Sequence, residues 1–566
     1  MNKINKEDIV GFQCMHAVYC PPPYGEVDDY HLVKERIHLK DGTTIPNVRM
    51  IKNWKRSFWV TKKGARNHQQ KKERELLNRL ERYESTESQM VTNVAKALEM
   101  PWFKGTMRDL NSNPYLYGTD IFSTALIKGQ YREKFPDCFA PSSVACFDTE
   151  TYMDDGTIIM ATLSFKDKVF TAIRKDYFEG YANVENRLQE CFDTYLGKYK
   201  KERNINWEVQ IVDDEAQVVV ETFKRAHAWK PDFLAIWNIN FDMPKVISAL
   251  ERAGIQPKDV FSDPKVPHAY RHFKYKEGKK VRVMASGKQM PINFADQWHV
   301  VFCPSSFYFI DAMCVYRKTR VQKGELPRYS LDYVLGLELG ERKLRFTQAD
   351  AYSGGEWHEV MQTEFKFEYV VYNVFDCVSM EMLDEKILDL SIDLPSACAY
   401  SDYRSFESQP KRVVDEMHYY LLEDEESVIG STGSSEFMIT KVDKQAPPNT
   451  DLIVNLKASL IQDNGLQCIE EYPDLHTSFR THNYDSDVSG AYPSNTIVFN
   501  LARETCKRVM CRIQNKTEYE MRMAGINLSG GHTNSLELAQ SMFGLPTLPD
   551  VLKIYQKDKE KLIEAI

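Results

Sequence analysis

The sequence predicts a multidomain protein of mixed α/β and α+β class. Three observations carry that reading. The 566-residue chain is too long for one hydrophobic core, and three or four domains are expected. Between residues 144 and 311 short apolar runs alternate with stretches of helical period, as in a sheet covered by helices. The stretch FEYVVYNVFDCVSMEMLDEKIL (367–388) keeps a period near 3.6 without Pro or Gly and predicts one long helix. Apolar content of 43%, aromatics of 12% and charged residues at 27% describe an ordered chain. A net charge of −8 excludes a simple basic coat for nucleic acid, so any phosphate contact must come from local patches. The 12 cysteines are scattered without a CxxC pair. With no secretory leader at the start, they read as mostly buried thiols of a reducing compartment. No apolar run approaches the roughly 20 residues of a membrane span, and no membrane partner is expected.

Taken in order, the first 20 residues and the PPPYGE turn carry no pattern. From Ile51 to Leu80 basic and aromatic residues interleave, then give way to what reads as a charged helix. Lys52, Trp54, Lys55, Arg56 and Trp59 are the DNA-binding candidates here, suited to tracking phosphates and stacking bases. A solvated helix face beside a small core is the alternative. A further helix runs to Leu98, and FPDCFAPSS (135–143) reads as a link. VACF, TIIMATLSF and KVFTAI then predict an antiparallel meander. Helices are expected around 184–195 and 215–228, with the strand NWEVQIV between them and a strand over Asp232–Trp237 after them. YRHFKYKEGKKVRVMASGKQ (270–289) reads as a hairpin or loop and carries Lys276, Lys279, Lys280 and Arg282, a second DNA-binding group. YFIDAM is a short strand ending at Asp311. Residues 401–426 read as mostly helical, with Pro410 as the break. Beyond two loops lie THNYDSDVSGAYPSN, a strand KRVMCRIQ and two helix candidates split by GLPTLP.

Four carboxylates are candidates for one metal site. Asp148 and Glu150 are two apart at the end of an apolar run, so they leave the same face of a strand. Asp242 follows another strand, and Asp376 lies on the long helix four residues after Tyr372, sharing its face. Such carboxylates repel one another unless a cation neutralises them, and hard-oxygen ligands suit Mg²⁺, with Mn²⁺ as a substitute. No His/Cys cluster competes, which disfavours zinc. Two ions about 4 Å apart would activate a water and stabilise the 3′-oxygen leaving a phosphodiester, with the Tyr372 hydroxyl aimed at that water or at the phosphate. Taken singly, the DxE pair reads as a solvated strand edge, Asn238–Asp242 as a helix cap, and the Tyr–Asp pair as a surface hydrogen bond.

These motifs resemble a known family. FDTE (147–150), NINFD (238–242) and YNVFD (372–376) look like the three exonuclease motifs of DEDDy proofreading nucleases, which use an RNase H-like fold. YSLDYVLG (329–336) is similar to the segment preceding the third motif in family B DNA polymerases of T4-like and other large bacteriophages. DVSGAYPS (487–494) resembles the family's motif A, usually DxxSLYPS. The resemblance implies an N-terminal domain (1–138, with part of 396–440 packing back on it) and an RNase H-like 3′–5′ exonuclease domain (139–395). It also implies a partial polymerase palm (440–520) and the start of a fingers or partner-binding segment (521–566). The implied catalytic set is Asp148, Glu150, Asp242, Tyr372, Asp376 and Asp487, with the five carboxylates as ligands and two Mg²⁺ per active site. Tyr492, Ala491 and Gly490 would line the nucleotide pocket, and Asn238, Arg404 and Phe406 would contact DNA. Two departures stand out. Gly490 and Ala491 replace Ser and Leu, loosening that pocket, and NINFD is one residue shorter than the common NxxxFD. The later motifs KxxxNSxYG and DTD are absent from these 566 residues. The implied protein is therefore the first chain of a split replicative polymerase, proofreading on its own and polymerising only with a second polypeptide. That partner would carry the fingers, remaining palm and thumb; the other implied partners are primer-template DNA and, through the second polypeptide, a sliding clamp. The implied location is the cytoplasm of an infected bacterial host. A free-standing DEDDy exonuclease and a non-catalytic replication scaffold are the alternatives.

Overall fold

The chain opens with three long strands, β1 (Ile9–Cys20), β2 (Tyr30–Leu39) and β3 (Thr44–Lys52), which form one antiparallel sheet. The computed structural model describes residues 6–69, 71–283, 287–423, 425–431, 525–528 and 531–534. Two units are distinguished, Met1–Phe437 and Met438–Ile566. Of the second, the described part is the antiparallel pair β19 (Gly525–Leu528) and β20 (Gly531–Asn534). The motif A segment and the final helix candidates lie outside the described residues.

In the first unit, β4 (Arg56–Thr61) pairs with β6 (Leu80–Ser85) and with β7 (Leu116–Tyr117). Helix α1 (Met90–Ala97) and the short α2 (Met107–Leu110) close a small core of Phe58, Val60, Val94 and Leu110 under this sheet. The charged helix expected before Leu80 is not formed. Its place holds the short strand β5 (Arg74–Leu76), which pairs with β18 (Ser427–Ile429) from the far end of the unit. Glu75 is buried there between Lys72 at 2.5 Å and Arg79 at 3.8 Å. Long-range strand pairing has overridden a locally helical composition.

Helix α3 (Ser123–Lys134) packs on β1 and leads to the six-stranded sheet that organises the unit. Its strands are β8 (Val144–Thr151), β9 (Ile158–Phe165), β10 (Lys168–Arg174), β11 (Asn206–Val212), β12 (Phe233–Ile236) and β17 (Tyr308–Asp311), in the spatial order β11-β10-β9-β8-β12-β17. The expected meander is present: β9 runs antiparallel to both β8 and β10. β12 is parallel to β8, and β17 to β12, so these three strands end at the same edge. Every residue of β9 is buried, as a strand covered on both faces requires.

Helices α4 (Val184–Arg203) and α11 (Lys366–Ile387) cover one face, and α5 (Glu215–Trp229) and α6 (Ile239–Arg252) the other. α5 starts at Asp214, whose carboxylate accepts from Gln217 N at 2.9 Å. Between α6 and β17 come the short α7 (Pro257–Phe261), the pair β13 (Lys274–Lys276) with β16 (Val300–Phe302), and the expected hairpin, β14 (Val281–Val283) with β15 (Gln289–Pro291). α8 (Ala312–Thr319), α9 (Leu331–Glu338) and α10 (Gly355–Thr363) lead into α11. Nearly all side chains of α11 from Phe367 to Asp384 are buried, which makes it a central helix. After α12 (Leu394–Ala397), α13 (Gln409–Glu423) returns to the N-terminal part, where Tyr419 reaches the carbonyls of Ala125 and Leu126. Pro410 opens α13 rather than breaking it, since a first-turn residue needs no N–H partner. The described cysteines are free thiols, most of them buried. Among the described residues no helix is long and apolar enough to cross a membrane.

One buried carboxylate joins the first sheet to the central one. Asp232, just before β12, accepts from Ser143 N and Oγ at 2.8 Å each and from the Arg36 guanidinium, with Lys34 Nζ at 3.9 Å. Burial pushes its pKa up, but Arg36, Lys34 and Ser143 outweigh that and hold it below the usual 3.8. A depressed carboxyl contributes stability above its unfolded value and loses it as pH falls through the folded one. Asp232→Ala leaves two buried cations unpaired, and we expect it to cost about 3–5 kcal/mol at pH 7. Thermal unfolding of variant and wild type should converge below the usual carboxylate range.

Candidate metal and active site

The site is built where β8 ends beneath α11. Side chains alternate along β8, so Cys146, Asp148 and Glu150 face α11 while Phe147 and Thr149 face α5 and α6. On α11, Tyr369, Tyr372, Asn373 and Asp376 recur at three- and four-residue spacing and present one stripe to that strand. As a result, one oxygen each of Asp148, Glu150 and Asp376 lies within 4.8 Å of the other two.

Each carboxylate is held by a dedicated donor. Asn373 Nδ2 donates to Asp148 at 2.7 Å, and the Tyr369 hydroxyl donates to Glu150. Behind Tyr369 stand two residues of α10, His358 with Nδ1 at 2.9 Å and Gln362 with Nε2 at 3.3 Å from the hydroxyl. With Glu150 ionised and taking the phenol's proton, both must donate to Tyr369. Lys343 Nζ donates to Asp376 at 2.5 Å and to the Tyr372 hydroxyl at 3.1 Å, so Tyr372 and Asp376 do share a face.

Asp242 arrives differently from the sequence reading. It sits in the first turn of α6, on a helix rather than after a strand end, and is 2% exposed. Thr149 Oγ1 donates to it at 2.6 Å from the opposite face of β8. Asp242 is therefore a neighbour of the three-carboxylate group, not one of the three. The start of α6 is fixed by Asp311 at the end of β17, whose carboxylate accepts from Ile239 N at 3.0 Å and from Cys314 N at 2.9 Å. One buried acid thus ties the N-termini of α6 and α8 together.

Crowding shows in the acidities. Burial and then the charges of Asp242, Asp376 and Glu150 push Asp148 well above the carboxylate range. Burial, with Asp376 adding, raises Glu150 to about 8, against the lowering hydrogen bond from Tyr369. Burial raises Asp242 to about 6 and also raises Asp376, which Lys343 counteracts. Burial works against the charge on Lys343, but Asp376, Tyr372 and Asp148 outweigh it and hold the ammonium well above its usual range. A single lysine cannot neutralise this many carboxylates, and the buried Asp376 Oδ1 has no hydrogen-bond partner. The donor set is all oxygen, without His or Cys. Both facts fit a hard divalent cation held by Asp148, Glu150 and Asp376, with Asp242 beside it.

Most of the other site candidates lie elsewhere. Asp487, Gly490, Ala491 and Tyr492 fall outside the described residues. Arg56 and Trp59 are core residues, not a nucleic-acid surface. Arg56 is 2% exposed, donating to Gly118 O at 2.8 Å, and Trp59 packs with Leu80, Tyr117 and Val428. Both turn inward from β4, so the side chains that looked like a phosphate track face a core. Lys52 pairs with Asp28 at 2.7 Å on the surface, Lys55 is exposed, and Trp54 Nε1 donates to Gln130 at 3.3 Å. Phe406 is buried against Trp298 and cannot meet a template. Arg404 is half-buried, its guanidinium 3.8 Å from the centre of the Phe122 ring. Asn238 is the residue before α6 and makes no side-chain cap bond. Lys276, Lys279, Lys280 and Arg282 are exposed on and beside the β14–β15 hairpin, with Lys280 2.6 Å from Glu277.

Sequence reasoning gave no site role to Lys343, Tyr369, Asn373, Thr149 or Asp311. Tyr369 and Asn373 were readable, being one turn before Tyr372 and Asp376 on the same stripe. Lys343 had no such signal, because it lies in an irregular stretch between two helices.

The chain matches no protein-family model, and comparison with curated proteins finds no significant match. The class rests on the site itself: a buried acidic cluster able to bind a divalent metal ion, of the kind used by hydrolytic, nuclease-type active sites.

The raised acidities have a measurable consequence. A carboxyl raised in the fold stabilises fully below its unfolded value, and that contribution is lost as pH rises through the folded one. For Asp242 and Glu150 the window runs from 3.8 and 4.5 up to about 6 and about 8. The metal-free protein should lose thermal stability across it. Mg²⁺ should raise the Tm by an amount that grows with pH, and Glu150→Gln should flatten the upper part of the curve.

Proposed function

We propose that this chain is the exonuclease-bearing N-terminal subunit of a split family B DNA polymerase of large bacteriophages, and that it removes 3′-terminal deoxynucleotides. The observation that carries the nuclease part is the convergence of FDTE and YNVFD. Asp148 and Glu150 meet Asp376 within 4.8 Å, and Tyr372 shares a lysine with Asp376. The central sheet adds support. A three-stranded antiparallel meander extended on its first-strand side by two parallel strands, with the site at their carboxyl ends, is the arrangement expected of an RNase H-like domain.

In this reading a single-stranded 3′ end enters with its last phosphodiester over the cluster. A water oxygen bonds to phosphorus, the bond from phosphorus to the 3′-oxygen breaks, and a 5′-mononucleotide leaves a strand ending in a 3′-hydroxyl. Divalent ions held by Asp148, Glu150 and Asp376 with Asp242 beside them would activate the nucleophile and neutralise charge developing on the departing oxygen. The chain's own groups set the geometry. Asn373, Tyr369 and Thr149 fix which lone pairs of Asp148, Glu150 and Asp242 face the cluster. Tyr372 presents a hydroxyl whose oxygen is already engaged by Lys343, leaving its proton for water or a phosphate oxygen. Lys343 brings a positive charge to the same edge.

The polymerase part rests on DVSGAYPS. Asp487 would hold the palm metals and Tyr492 would pack under the incoming sugar. The missing KxxxNSxYG and DTD motifs would come from the partner chain.

The purified chain should degrade a 5′-labelled single-stranded oligonucleotide from its 3′ end in Mg²⁺, and Asp148→Ala with Glu150→Ala should reduce that to background. Undiminished degradation by the double variant removes the nuclease assignment. Primer extension should need a second protein carrying the missing motifs, and Asp487→Ala should silence extension while sparing degradation. Robust synthesis by this chain alone removes the split-polymerase reading.

A further inference from the structure

A second lysine lies beside the cluster. Lys245 lies one turn after Asp242 on α6 and four residues after Phe241, so its side chain neighbours both, the buried acid on one side and the exposed ring on the other. An Asp–Lys pair at this spacing commonly closes an ion pair. Here the Asp242 carboxylate is taken by Thr149. The Lys245 side chain runs back over Phe241 instead, with Nζ 3.3 Å from the ring centre, and donates to Thr151 Oγ1 at 2.9 Å. Thr151 is the last residue of β8, next to Glu150, and its carbonyl accepts from Gln362 of α10 at 2.7 Å. Phe241 beneath the ammonium is 53% exposed.

Three features set this lysine apart from a solvated surface charge. Its ammonium is held by two contacts, the Phe241 ring and the Thr151 hydroxyl, at an entropic cost a free lysine avoids. It is half-buried and within electrostatic reach of Asp242, Glu150 and Asp148, yet it forms no contact ion pair with any of them. An ammonium has three donors, and one goes to Thr151, so donor capacity is left at the rim of the cluster. Lys343, by contrast, is committed to Asp376 and Tyr372. A cation fixed beside an acidic site without closing on it is suited to an anion that arrives with the substrate.

We propose that Lys245, seated on Phe241 and Thr151, is a phosphate-binding subsite for the nucleic-acid strand. It contacts one backbone phosphate near the bond being cut. This rests on the nuclease reading above and adds a second point at which the strand is gripped.

The experiment uses the full chain and a 5′-fluorescein oligo-dT, with Ca²⁺ replacing Mg²⁺ so that binding is read without cleavage. Binding of Lys245→Gln should be roughly ten-fold weaker at 0.1 M salt, the size of one charge-assisted contact. The slope of log affinity against log salt should fall by about 0.7, one phosphate on a single strand. Lys245→Arg should restore both, and the Mg²⁺ concentration needed for cleavage should stay as in wild type. A series of oligonucleotides, each with one neutral methylphosphonate linkage, should contain one position that weakens wild type but not Lys245→Gln. An unchanged salt slope, or a loss of binding equal at every methylphosphonate position, overturns the subsite. So does a shifted Mg²⁺ requirement without a slope change, since Lys245 would then act through the carboxylates. If wild type still cleaves in any of these cases, the nuclease reading stands without the subsite. If wild type neither binds nor cleaves, both fall.

Discussion

Repulsion among buried carboxylates is the constraint on which the rest of this molecule turns. Two unit charges 4.8 Å apart repel by about 3 kcal/mol even at an effective dielectric of 20, and the cluster contains several such pairs. Proteins avoid that arrangement unless a cation is part of the design. Lys343 is a partial answer, engaging one oxygen of Asp376 while the other stays unpartnered and Asp148 and Glu150 remain close to it. The remaining relief comes from donors that prefer the charged forms, Asn373, Tyr369 and Thr149. Every one of these is an uncharged group that orients a carboxylate without neutralising it, which is what a site intended for metal requires.

Two periodicities make the cluster possible. The period of two along β8 puts Asp148 and Glu150 on one face, and the period of 3.6 along α11 puts Tyr369, Tyr372, Asn373 and Asp376 on one stripe. The elements must then be pressed together without slack. Cys146 and Cys377, the small residues beside the acids, are fully buried between strand and helix and let the backbones approach. The parallel strands β8, β12 and β17 add the third direction, because their shared carboxyl edge delivers α6, with Asp242, to the same place. Asp311 holds that helix start in position from the last strand of the three.

How much of this was legible follows from how local each signal is. The meander, the long helix and the acids at a strand end are written in contiguous residues, and their order and faces could be read directly. The N-terminal sheet could not be. β1 carries irregular register against β2 at Ile9/Gly11 and Cys14/His16, which breaks the alternation that would have exposed it. Residues 71–80 look helical because charged residues favour helices, but β5 finds its partner in β18, near the far end of the unit, and no local window contains that information. Arg56 and Trp59 misled for a related reason. Residue type suggested DNA, whereas both are buried in the fold, Trp59 in a core with Tyr117 and Val428 and Arg56 against Gly118 O and Glu87. Lys343 sits in irregular chain, and only the folded path brings it to Asp376. Asp242 was recognised as an acid following a strand, and the structure adds that it sits in the first turn of the helix that follows β12.

The two lysines bear on how an acidic cluster able to bind a divalent ion is held together in the fold. An acidic cluster with no internal cation would be pushed apart or held protonated until metal arrived, so each binding event would carry the cost of assembling it. Lys343, locked between Tyr372 and Asp376, keeps α11 close to the cluster and sets the distance at which the carboxylates wait. It has to remain only a partial counter-charge, because a fully neutralised cluster would have no reason to bind a cation. Lys245 shows the same restraint, near three acids and closed on none. The geometry is thus preorganised while its charge stays only partly balanced, a combination suited to holding a divalent ion.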